Sequence, residues 1–419
     1  MDIESSLKKL FSLHTFGIKL GLENIIGFLN QLGNPQQQLK TIHIAGSNGK
    51  GSTASFIASI LQEFGFDVGL YTSPHFVKFN ERIVINGFHI DDEYVSNFMT
   101  DNEKYIDENQ LTFFEVTTAL AFQYFKDKKP DYCVIETGLG GRLDATNVLN
   151  PLATVITSIS LEHTNVLGDT IEKITNEKAA IIKSGSKVFT GMLIKEASEI
   201  IVSKCKETNC ELFQLKNFIS NDLSKVRILS DSRDIQLKSP LKGNYQKFNA
   251  SLASLTISKT FHLEEEHKYL AGITNVIKNT GLQGRYEYYH KRPTIIFDSA
   301  HNPDGIQNFL KEFEKEAYSY KRRVVIFGVM QDKSIVEMLK LISMFFDEIF
   351  LTKIQYERAV KPEYLKELCD QQNISAKIID NPVKLIGDFK ANREDECLVV
   401  IGSMYLLGEI KQQLLQSTS

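Results

Sequence analysis

Residues 41–53 combine the features of a phosphate-binding loop. The stretch TIHIAGSNGKGST predicts a short strand, a turn with three glycines and the start of a helix, with Lys50 inside the turn. Glycines let backbone N–H groups approach an anion, a helix N-terminus favours negative charge, and a lysine adds a point charge. The spacing differs from the usual G-x-x-x-x-G-K-[ST] pattern, because Gly46 stands only four residues before Lys50 and Gly51 precedes Ser52. An ordinary strand-to-helix turn is the alternative.

Three predicted strands of the first half are followed by side chains able to bind a cation: Ser73, Glu136 and His163. If the strand order brings these ends beside the Lys50 loop, they surround the phosphates. Mg²⁺ prefers oxygen ligands and bridges a carboxylate to substrate phosphates, so Glu136 is the natural ligand and Ser73 a second candidate. The alternatives are a turn residue before Pro74 for Ser73 and a structural hydrogen bond for His163.

Lys178 precedes a strongly apolar helical stretch, and the sequence allows two interpretations of it. An exposed helix lysine is the commoner case. The alternative is a partly buried amine with a lowered pKa, which can take up CO₂ and become a carbamate near the metal.

The second half of the chain places an acid and a histidine three residues apart, Asp298 and His301, where a predicted strand gives way to a helix. Ligands bind at this end of strands in open α/β sheets. Asp298 or Asn302 capping the following helix is the bland alternative, and both roles are compatible. Arg285 is either a phosphate contact or an ordinary surface arginine.

The order of predicted elements indicates an α/β protein with two domains. Strands alternate with helices, which favours a mostly parallel, doubly wound sheet, and the alternation restarts beyond the glycines of residues 281–284. We therefore predict an ATP-binding domain over residues 1–283 and a smaller Rossmann-like α/β domain over residues 284–419, with the active site in a cleft between them. A chain of 419 residues is long enough for two cores.

Composition narrows the function and the compartment. The net charge of −4 argues against a nucleic-acid or anionic-membrane partner, so an anionic substrate must be held by local charges. The five cysteines show no C-x-x-C spacing and suggest neither a disulfide framework nor a zinc site. The N-terminus is polar and resembles no signal peptide, which favours the cytoplasm.

Seven motifs in this order resemble folylpolyglutamate synthase/dihydrofolate synthase of the Mur ligase superfamily. They span about 260 residues and read AGSNGKGS, TSPH, FNERI, ETGLGGRLDATNV, LEH…LGDTIEKITNEKAAIIK, LQGRYE and FDSAHNP. Two departures are small: Ser47 stands where the family usually has threonine, and Asn244, Tyr245 and Gln246 replace a version that contains histidine.

The resemblance implies roles for individual residues. Gly49, Lys50, Gly51 and Ser52 would hold the ATP phosphates, with Asn249 at the adenine and with Arg285 and Asp298 as further ATP contacts. Ser73, Glu136 and His163 would bind Mg²⁺, Lys178 would be carbamylated, and His301 would lie near the incoming amino acid. Thr112, Phe113, Phe114 and Glu115, together with Leu143, Asp144 and Ala145, would bind the pterin and benzoyl part of the substrate.

The implied reaction is ATP-driven addition of L-glutamate to dihydropteroate and to folates, by a monomer acting on small molecules. Chain extension on folate alone is one alternative. A P-loop regulatory NTPase is another, and it would hydrolyse ATP without regard to glutamate. A muramyl-peptide synthetase is disfavoured, because the short N-terminus leaves no room for a UDP-binding domain.

Overall fold

The computed structural model describes residues 2–13, 21–220, 225–227, 234–236, 238–331, 333–356, 358–392 and 395–416. The chain folds into two compact units. The first unit comprises residues 1–74, 79–240 and 246–282, and the second comprises residues 75–78, 241–245 and 283–419. The structure therefore adds two short segments from earlier in the chain to the second unit.

The first unit is built on a sheet with the strand order β4-β3-β2-β5-β1-β6-β7-β8. Strands β2, β5, β1, β6, β7 and β8 run parallel, and β3 and β4 add an antiparallel edge. The central strands are apolar on both faces because helices cover both, as parallel sheets require. The predicted mostly parallel sheet is confirmed. The strands are β1 (Thr41–Ala45), β2 (Val68–Tyr71), β3 (Ile83–Ile85), β4 (Phe88–His89), β5 (Tyr132–Glu136), β6 (Ala153–Ile156), β7 (Lys187–Thr190) and β8 (Glu211–Gln214).

This order puts the carboxyl ends of β2, β5, β1 and β6 next to one another. Glu136 pairs in register with Ile44, two residues before the glycine turn. The three candidate cation ligands lie on segments that leave β2, β5 and β6. The strand order therefore brings the ends of these strands beside the Lys50 loop, as the predicted cation site requires.

Helices pack on both faces of the first sheet. Helix α3 starts directly at Lys50 and is buried along most of its length. Helix α5 begins at a capping box, in which the side chains of Thr112 and Glu115 bond each other's backbone N–H groups. The helices are α1 (Ile3–Ser12), α2 (Glu23–Gln31), α3 (Lys50–Glu63), α4 (Asp92–Glu108), α5 (Phe113–Lys128), α6 (Thr164–Leu167), α7 (Ile171–Ala179), α8 (Lys195–Glu207), α9 (Asn244–Phe261), α10 (Glu266–Thr274) and α11 (Val276–Thr280), and a small separate hairpin is formed by β9 (Lys225–Arg227) and β10 (Asp234–Gln236).

The second unit has its own sheet, with the strand order β11-β12-β16-β13-β14-β15. Only β11 is antiparallel to its neighbour. Helix α12 begins at Pro303, and the Asn302 side chain caps it by accepting the N–H of Gly305 at 2.7 Å. The elements are β11 (Glu287–Lys291), β12 (Thr294–Phe297), α12 (Pro303–Ala317), β13 (Arg322–Phe327), α13 (Ile335–Ser343), β14 (Glu348–Thr352), α14 (Pro362–Gln371), β15 (Lys377–Ile379), α15 (Pro382–Asn392), β16 (Glu396–Ile401) and α16 (Met404–Gln416).

Phe76 anchors the four-residue segment 75–78 within the second unit. Its ring packs on the apolar cluster around Phe297 and Leu407, and the ammonium of Lys411 lies 5.3 Å from the ring centroid. A Cβ atom placed on Gly408 would stand 2.0 Å from the carbonyl oxygen of Phe76, so only glycine permits this approach. No helix in the described ranges is long and apolar enough to cross a membrane.

Candidate active site

The turn between β1 and α3 has a shape that only glycine allows at two positions. Gly46 and Gly49 have φ angles of +154° and +86°. A Cβ atom on Gly46 would lie 1.9 Å from Thr157 Oγ1, and one on Gly49 would lie 2.5 Å from Asn249 Oδ1. At both positions the backbone therefore packs so closely against a neighbouring side chain that only glycine can form this turn, which has the glycine-rich form of a phosphate-binding loop.

A run of hydroxyl side chains beyond β6 holds this loop in place. The Ser47 hydroxyl accepts the N–H of Ser160 at 3.0 Å and donates to its carbonyl at 3.1 Å. Ser158 Oγ accepts the N–H of Asn48 at 2.9 Å, and Thr157 Oγ1 donates to the carbonyl of Asn48 at 2.7 Å. Sequence analysis missed these supporting residues. Their signal is the cluster of Ser and Thr directly after an apolar strand.

Two lysines converge on one carbonyl of the loop. Lys50 Nζ donates to the Gly46 carbonyl at 2.9 Å and to that of Ser47 at 3.3 Å. Lys178 Nζ donates to the same Gly46 oxygen, also at 2.9 Å. The exposed position considered for Lys178 is wrong, because its side chain is 1% exposed. Burial lowers the pKa of Lys178 below its ordinary value, although the neighbouring carboxylate opposes that shift.

That carboxylate belongs to Glu162, which sequence analysis did not single out. Its Oε1 lies 2.7 Å from Lys178 Nζ, and both side chains are buried. Burial by itself would raise the pKa of Glu162, but the positive charges of Lys178 and Lys50 outweigh burial and hold the pKa well below its usual value. Glu162 is therefore ionised at neutral pH. The only hint in the sequence is an acid beside His163 at a strand end.

The three candidate cation ligands occupy the ends of neighbouring chain segments. Glu136 is buried at the end of β5, and its Oε2 accepts the N–H of Ser73 at 3.1 Å. His163 is half-buried, with a φ of +46° just ahead of α6. Among the described residues there is no group of three or more His, Cys, Asp or Glu side chains that would cage a metal by itself. One carboxylate beside a phosphate loop fits Mg²⁺, which takes its other ligands from water and phosphate.

Side-chain hydrogen bonds link α9 to the start of α3 beside the loop. Asn249 donates to Gln246 Oε1 at 3.1 Å, and Gln246 Nε2 lies 3.4 Å from the hydroxyl of Ser52. Asn249 also contacts Gly49 closely. The structure thus brings the predicted adenine contact Asn249 together with Gly49, Lys50, Gly51 and Ser52, and adds Gln246 to them.

The two predicted substrate-binding stretches meet near Gly138, but most of their polar groups already form hydrogen bonds within the protein. The Glu115 carboxylate accepts the N–H and hydroxyl of Thr112 at 2.7 and 2.8 Å. Phe113 is buried, with the guanidinium of Arg82 5.0 Å from its ring centroid. Phe114 is half-buried, and a Cβ atom on Gly138 would stand 2.4 Å from its ring.

Asp144 stabilises the loop that follows β5 through hydrogen bonds within that loop. Its Oδ2 accepts the N–H of Leu139 at 2.8 Å, and its Oδ1 accepts the N–H and hydroxyl of Thr146 at 3.0 and 2.5 Å. Ala145 is buried and Leu143 half-buried. Leu143 and Phe114 are thus the half-buried members of the two stretches, while Thr112, Phe113, Glu115, Asp144 and Ala145 form their buried support.

In the second unit, Arg285 and Asp298 lie close enough for the arginine charge to affect the acid. Asp298 is buried, and its carboxylate accepts the N–H groups of Tyr286 and Ala300 at 2.7 and 2.8 Å. Burial raises the pKa of Asp298 despite these hydrogen bonds and the charge of Arg285. His301 Nδ1 lies 2.9 Å from the carbonyl oxygen of Ser299, so Nδ1 carries a proton.

Comparison with known proteins agrees with this geometry. Residues 44–257 match the Mur ligase middle domain, and residues 284–404 match the family described as "Mur ligase, glutamate ligase domain". These matches define a Mur-type ligase. They agree with the observed fold, in which a glycine loop leads from a parallel sheet into a helix and a second α/β unit follows.

Individual relatives narrow the class. Dihydrofolate synthase/folylpolyglutamate synthase of Bacillus subtilis is 34% identical over 424 residues, covering 95% of this chain and 96% of that protein. Folylpolyglutamate synthase of Lacticaseibacillus casei is 33% identical and covers 94% of each. The chain belongs to the folylpolyglutamate synthase/dihydrofolate synthase family.

Solved structures agree over the whole chain. Mycobacterium tuberculosis folylpolyglutamate synthase complexed with ADP and AMPPCP superposes with a TM-score of 0.87 at 26% identity, covering 99% of each chain. Escherichia coli FolC in complex with DHPP and ADP gives a TM-score of 0.86 at 27% identity, covering 100% of this chain and 99% of that one.

Proposed function

We propose that this chain joins L-glutamate, with consumption of ATP, to the carboxylate of dihydropteroate and to the γ-carboxylate of tetrahydrofolate. The observation that carries the proposal is the convergence of Lys50 and Lys178 on Gly46, in a glycine loop next to the strand that ends in Glu136. The B. subtilis relative bears both activity names, which supports the double role, whereas the L. casei relative bears one.

The first step is transfer of the γ-phosphoryl group of ATP to the substrate carboxylate, which gives ADP and an acyl phosphate. A free carboxylate is a poor electrophile, so it must be activated before an amine attacks. Lys50, the loop N–H groups at Gly49 and Gly51, and the Ser52 hydroxyl neutralise the charge that develops on the phosphates. Arg285 and Asp298 are proposed as further contacts of the same nucleotide, Arg285 through its planar guanidinium.

Ser73, Glu136 and His163 are the residues that would hold Mg²⁺. When bound, this ion neutralises charge on the phosphate oxygens of ATP. The chain's own contribution is to hold Glu136 in place through the N–H of Ser73 and to exclude water around it.

In the second step the amine of L-glutamate attacks the acyl carbon. The new C–N bond forms, the C–O bond to phosphate breaks, and the amine loses a proton. His301 is suited to accept that proton, because the proton on Nδ1 leaves the lone pair on Nε2. Asp298 orients the attacking group or shares the proton, since burial raises its pKa.

We assign the phosphate-binding loop and the main nucleotide site to the domain of residues 1–283, and glutamate binding together with the nucleotide contacts Arg285 and Asp298 to the domain of residues 284–419. The description of the matched C-terminal family as a glutamate ligase domain supports the second assignment. The half-buried side chains of Phe114 and Leu143 are proposed to contact the pterin and benzoyl part. We also propose a monomer that acts in the cytoplasm, and light scattering of the purified protein tests the first of these.

Lys178 is proposed to carry a carbamate. Its burial lowers the pKa and favours the neutral amine that attacks CO₂, forming an N–C bond and releasing one proton. The resulting anion would face ionised Glu162, so the positive charge of Lys50 is needed to compensate. Protein equilibrated with ¹³C-bicarbonate should give a carbamate carbon signal in NMR that is missing from Lys178→Gln. A spectrum without that signal in the wild type would refute the modification.

The decisive experiment measures ADP release with Mg-ATP and L-glutamate, adding dihydropteroate or tetrahydrofolate separately. We expect glutamate-dependent turnover with both acceptors. Turnover with tetrahydrofolate alone would leave only chain extension, and ATP hydrolysis indifferent to glutamate would overturn the ligase assignment.

Lys50→Ala should lower turnover by at least about 100-fold, because the charge that offsets the developing phosphate charge is lost. Lys195→Ala is the matched control, since that lysine is 90% exposed at the start of α8 and its loss should leave turnover within about twofold. Unchanged ADP release in Lys50→Ala would contradict the proposed role of the loop.

A further inference from the structure

Three tyrosine hydroxyls donate to one carboxylate in the second unit. Glu316, in the last turn of α12, accepts from Tyr286 at 2.5 Å, from Tyr288 at 2.6 Å and from Tyr320 at 2.7 Å. These residues lie outside the set assigned above. Three donors on one half-buried carboxylate fix its position far more firmly than a helix end requires.

Tyr286 connects this cluster, defined as Glu316 with its three tyrosines, to the proposed nucleotide contacts. The residue follows Arg285 directly, and its own N–H donates to the Asp298 carboxylate at 2.7 Å. On the other side of Arg285, the Gly284 carbonyl accepts the N–H of Ser299 at 3.0 Å. The backbone of Arg285 is thus held on both sides by the segment that carries Asp298.

The conformation of Tyr286 shows that this arrangement is imposed. Its φ is +46°, in the left-handed region, which is unfavourable for a residue with a Cβ atom. Glycine would adopt this backbone freely, yet the position holds a tyrosine that is 2% exposed. Its ring lies 5.1 Å from that of Phe309 on α12, centroid to centroid, and its hydroxyl reaches Glu316 on the same helix.

We propose that Glu316, acting through the hydroxyl of Tyr286, is a positioning residue that sets Arg285 and Asp298 for nucleotide binding. The inference rests on the proposed function, in which Arg285 and Asp298 contact ATP. Neither Glu316 nor Tyr286 touches the reacting atoms; each acts through the turn between Gly284 and Tyr286.

The other two tyrosines provide matched controls. Tyr320→Phe removes one hydroxyl donor from the same carboxylate, as Tyr286→Phe does, but Tyr320 precedes β13 and makes no bond to the Arg285 turn. A purely structural cluster therefore predicts similar effects of the two changes. A positioning role predicts that only Tyr286→Phe changes nucleotide affinity.

The test measures the dissociation constant of AMPPCP, the KM for ATP and kcat, with thermal unfolding as the stability readout. For Tyr286→Phe we expect both nucleotide constants to rise about five- to tenfold with a smaller change in kcat, and for Tyr320→Phe a change below about twofold. Glu316→Gln keeps an acceptor oxygen and should stay nearer to the wild type than Glu316→Leu. Equal nucleotide constants in Tyr286→Phe and Tyr320→Phe would overturn the inference.

Arg285→Ala separates failure of the inference from failure of the site assignment. If Arg285→Ala weakens AMPPCP binding while Tyr286→Phe does not, the positioning role is wrong and the nucleotide contact stands. If Arg285→Ala leaves AMPPCP binding unchanged, both the contact and the positioning role are wrong.

Discussion

The ion pair of Lys178 and Glu162 costs free energy to fold, because both charges leave water and their attraction repays that loss only partly. Such a pair is a weak source of stability. Here the Lys178 ammonium also donates to the carbonyl of Gly46, and Lys50 donates to the carbonyl of the next residue, Ser47. The pair therefore fixes the positions of Lys178 and Glu162 beside the loop more than it stabilises the fold.

His43 is a buried histidine whose protonation should affect the stability of the protein. It is fully buried in β1, and its Nε2 lies 2.8 Å from the hydroxyl oxygen of Thr146. Because that hydroxyl donates to Asp144, Nε2 must carry the proton, and Nδ1 has no hydrogen-bond partner among the described residues. Burial, assisted by the charge of Lys183, lowers the pKa of His43 to about 3.

The lowered pKa predicts a loss of stability in mild acid. Above pH 6.5 His43 is neutral in both states; below it the unfolded chain binds a proton that the folded chain excludes. The free energy of unfolding should therefore fall by about 1.4 kcal/mol per pH unit from this residue as the pH drops from 6.5 toward about 4. Denaturant unfolding at several pH values measures the slope.

His43→Gln isolates the effect, since the amide donates to Thr146 without titrating. Its unfolding free energy should depend less steeply on pH than that of the wild type over this range. His267→Gln, at an exposed position, should keep the wild-type slope. Identical slopes in the wild type and His43→Gln would show that the proton on His43 is not excluded.

Residues that belong to a recognisable local motif could be predicted from the sequence, whereas the residues that contact them could not. Lys50, Glu136 and Asp298 stand next to glycine turns or strand ends, which local sequence reveals. Glu162 contacts Lys178 across the intervening helix α6 and most of α7, and Gln246 contacts Ser52, which is 194 residues away in the chain. No local spacing encodes such a contact.

Among the elements, α3 is positioned by its close contact with α10. The Ser59 hydroxyl donates to the carbonyl of Gly272 at 2.7 Å. A Cβ atom on Gly272 would stand 2.5 Å from Ile60 Cα, so the two helix backbones are as near as glycine permits. Since α3 begins at Lys50, this contact also sets the position of the loop lysine.

Gly272→Ala should destabilise the protein by about 1–3 kcal/mol, because the added methyl group must push two helix backbones apart. ATP affinity should fall as well, since α3 shifts with Lys50. Thermal unfolding and equilibrium nucleotide binding measure the two effects.

Gly387→Ala in α15 is the matched control, because a Cβ atom there would have nothing within 4 Å in the part of the chain that the structure describes. That change should be neutral or stabilising by up to about 1 kcal/mol, as alanine favours a helix over glycine. A Gly272→Ala protein as stable as the wild type would mean that the two helices separate without strain.

Strands with apolar runs were predictable even when short, whereas β11 and β7 were not predicted. The pattern of β1, β5 and β16 is dominated by β-branched and apolar residues that fit only a buried sheet. In contrast, β11 reads EYYHK and is half-buried, and β7 reads KVFT with a lysine at its start. Their pairing with β12 and β6 decides their conformation more than their own composition does.

At the scale of the whole molecule, the glycines near residue 283 mark the last passage of the chain into the second unit. The two earlier passages, at residues 75–78 and 241–245, have no compositional signal. The first of these passages is defined by contacts with residues more than 300 positions away, as Phe76 is by Gly408 and Lys411. A linear division of the sequence is therefore only an approximation to the folded units.

The anchoring of Phe76 has a consequence for evolution and for engineering. A ligase domain transplanted between relatives as one continuous cassette, starting near residue 283, would arrive without the aromatic plug that fills the surface beside Gly284 and Gly408. Recombination would have to carry three separate pieces of the gene together. Specificity for new amino acids should thus arise in this family by point changes within the cassette more readily than by exchange of the cassette itself.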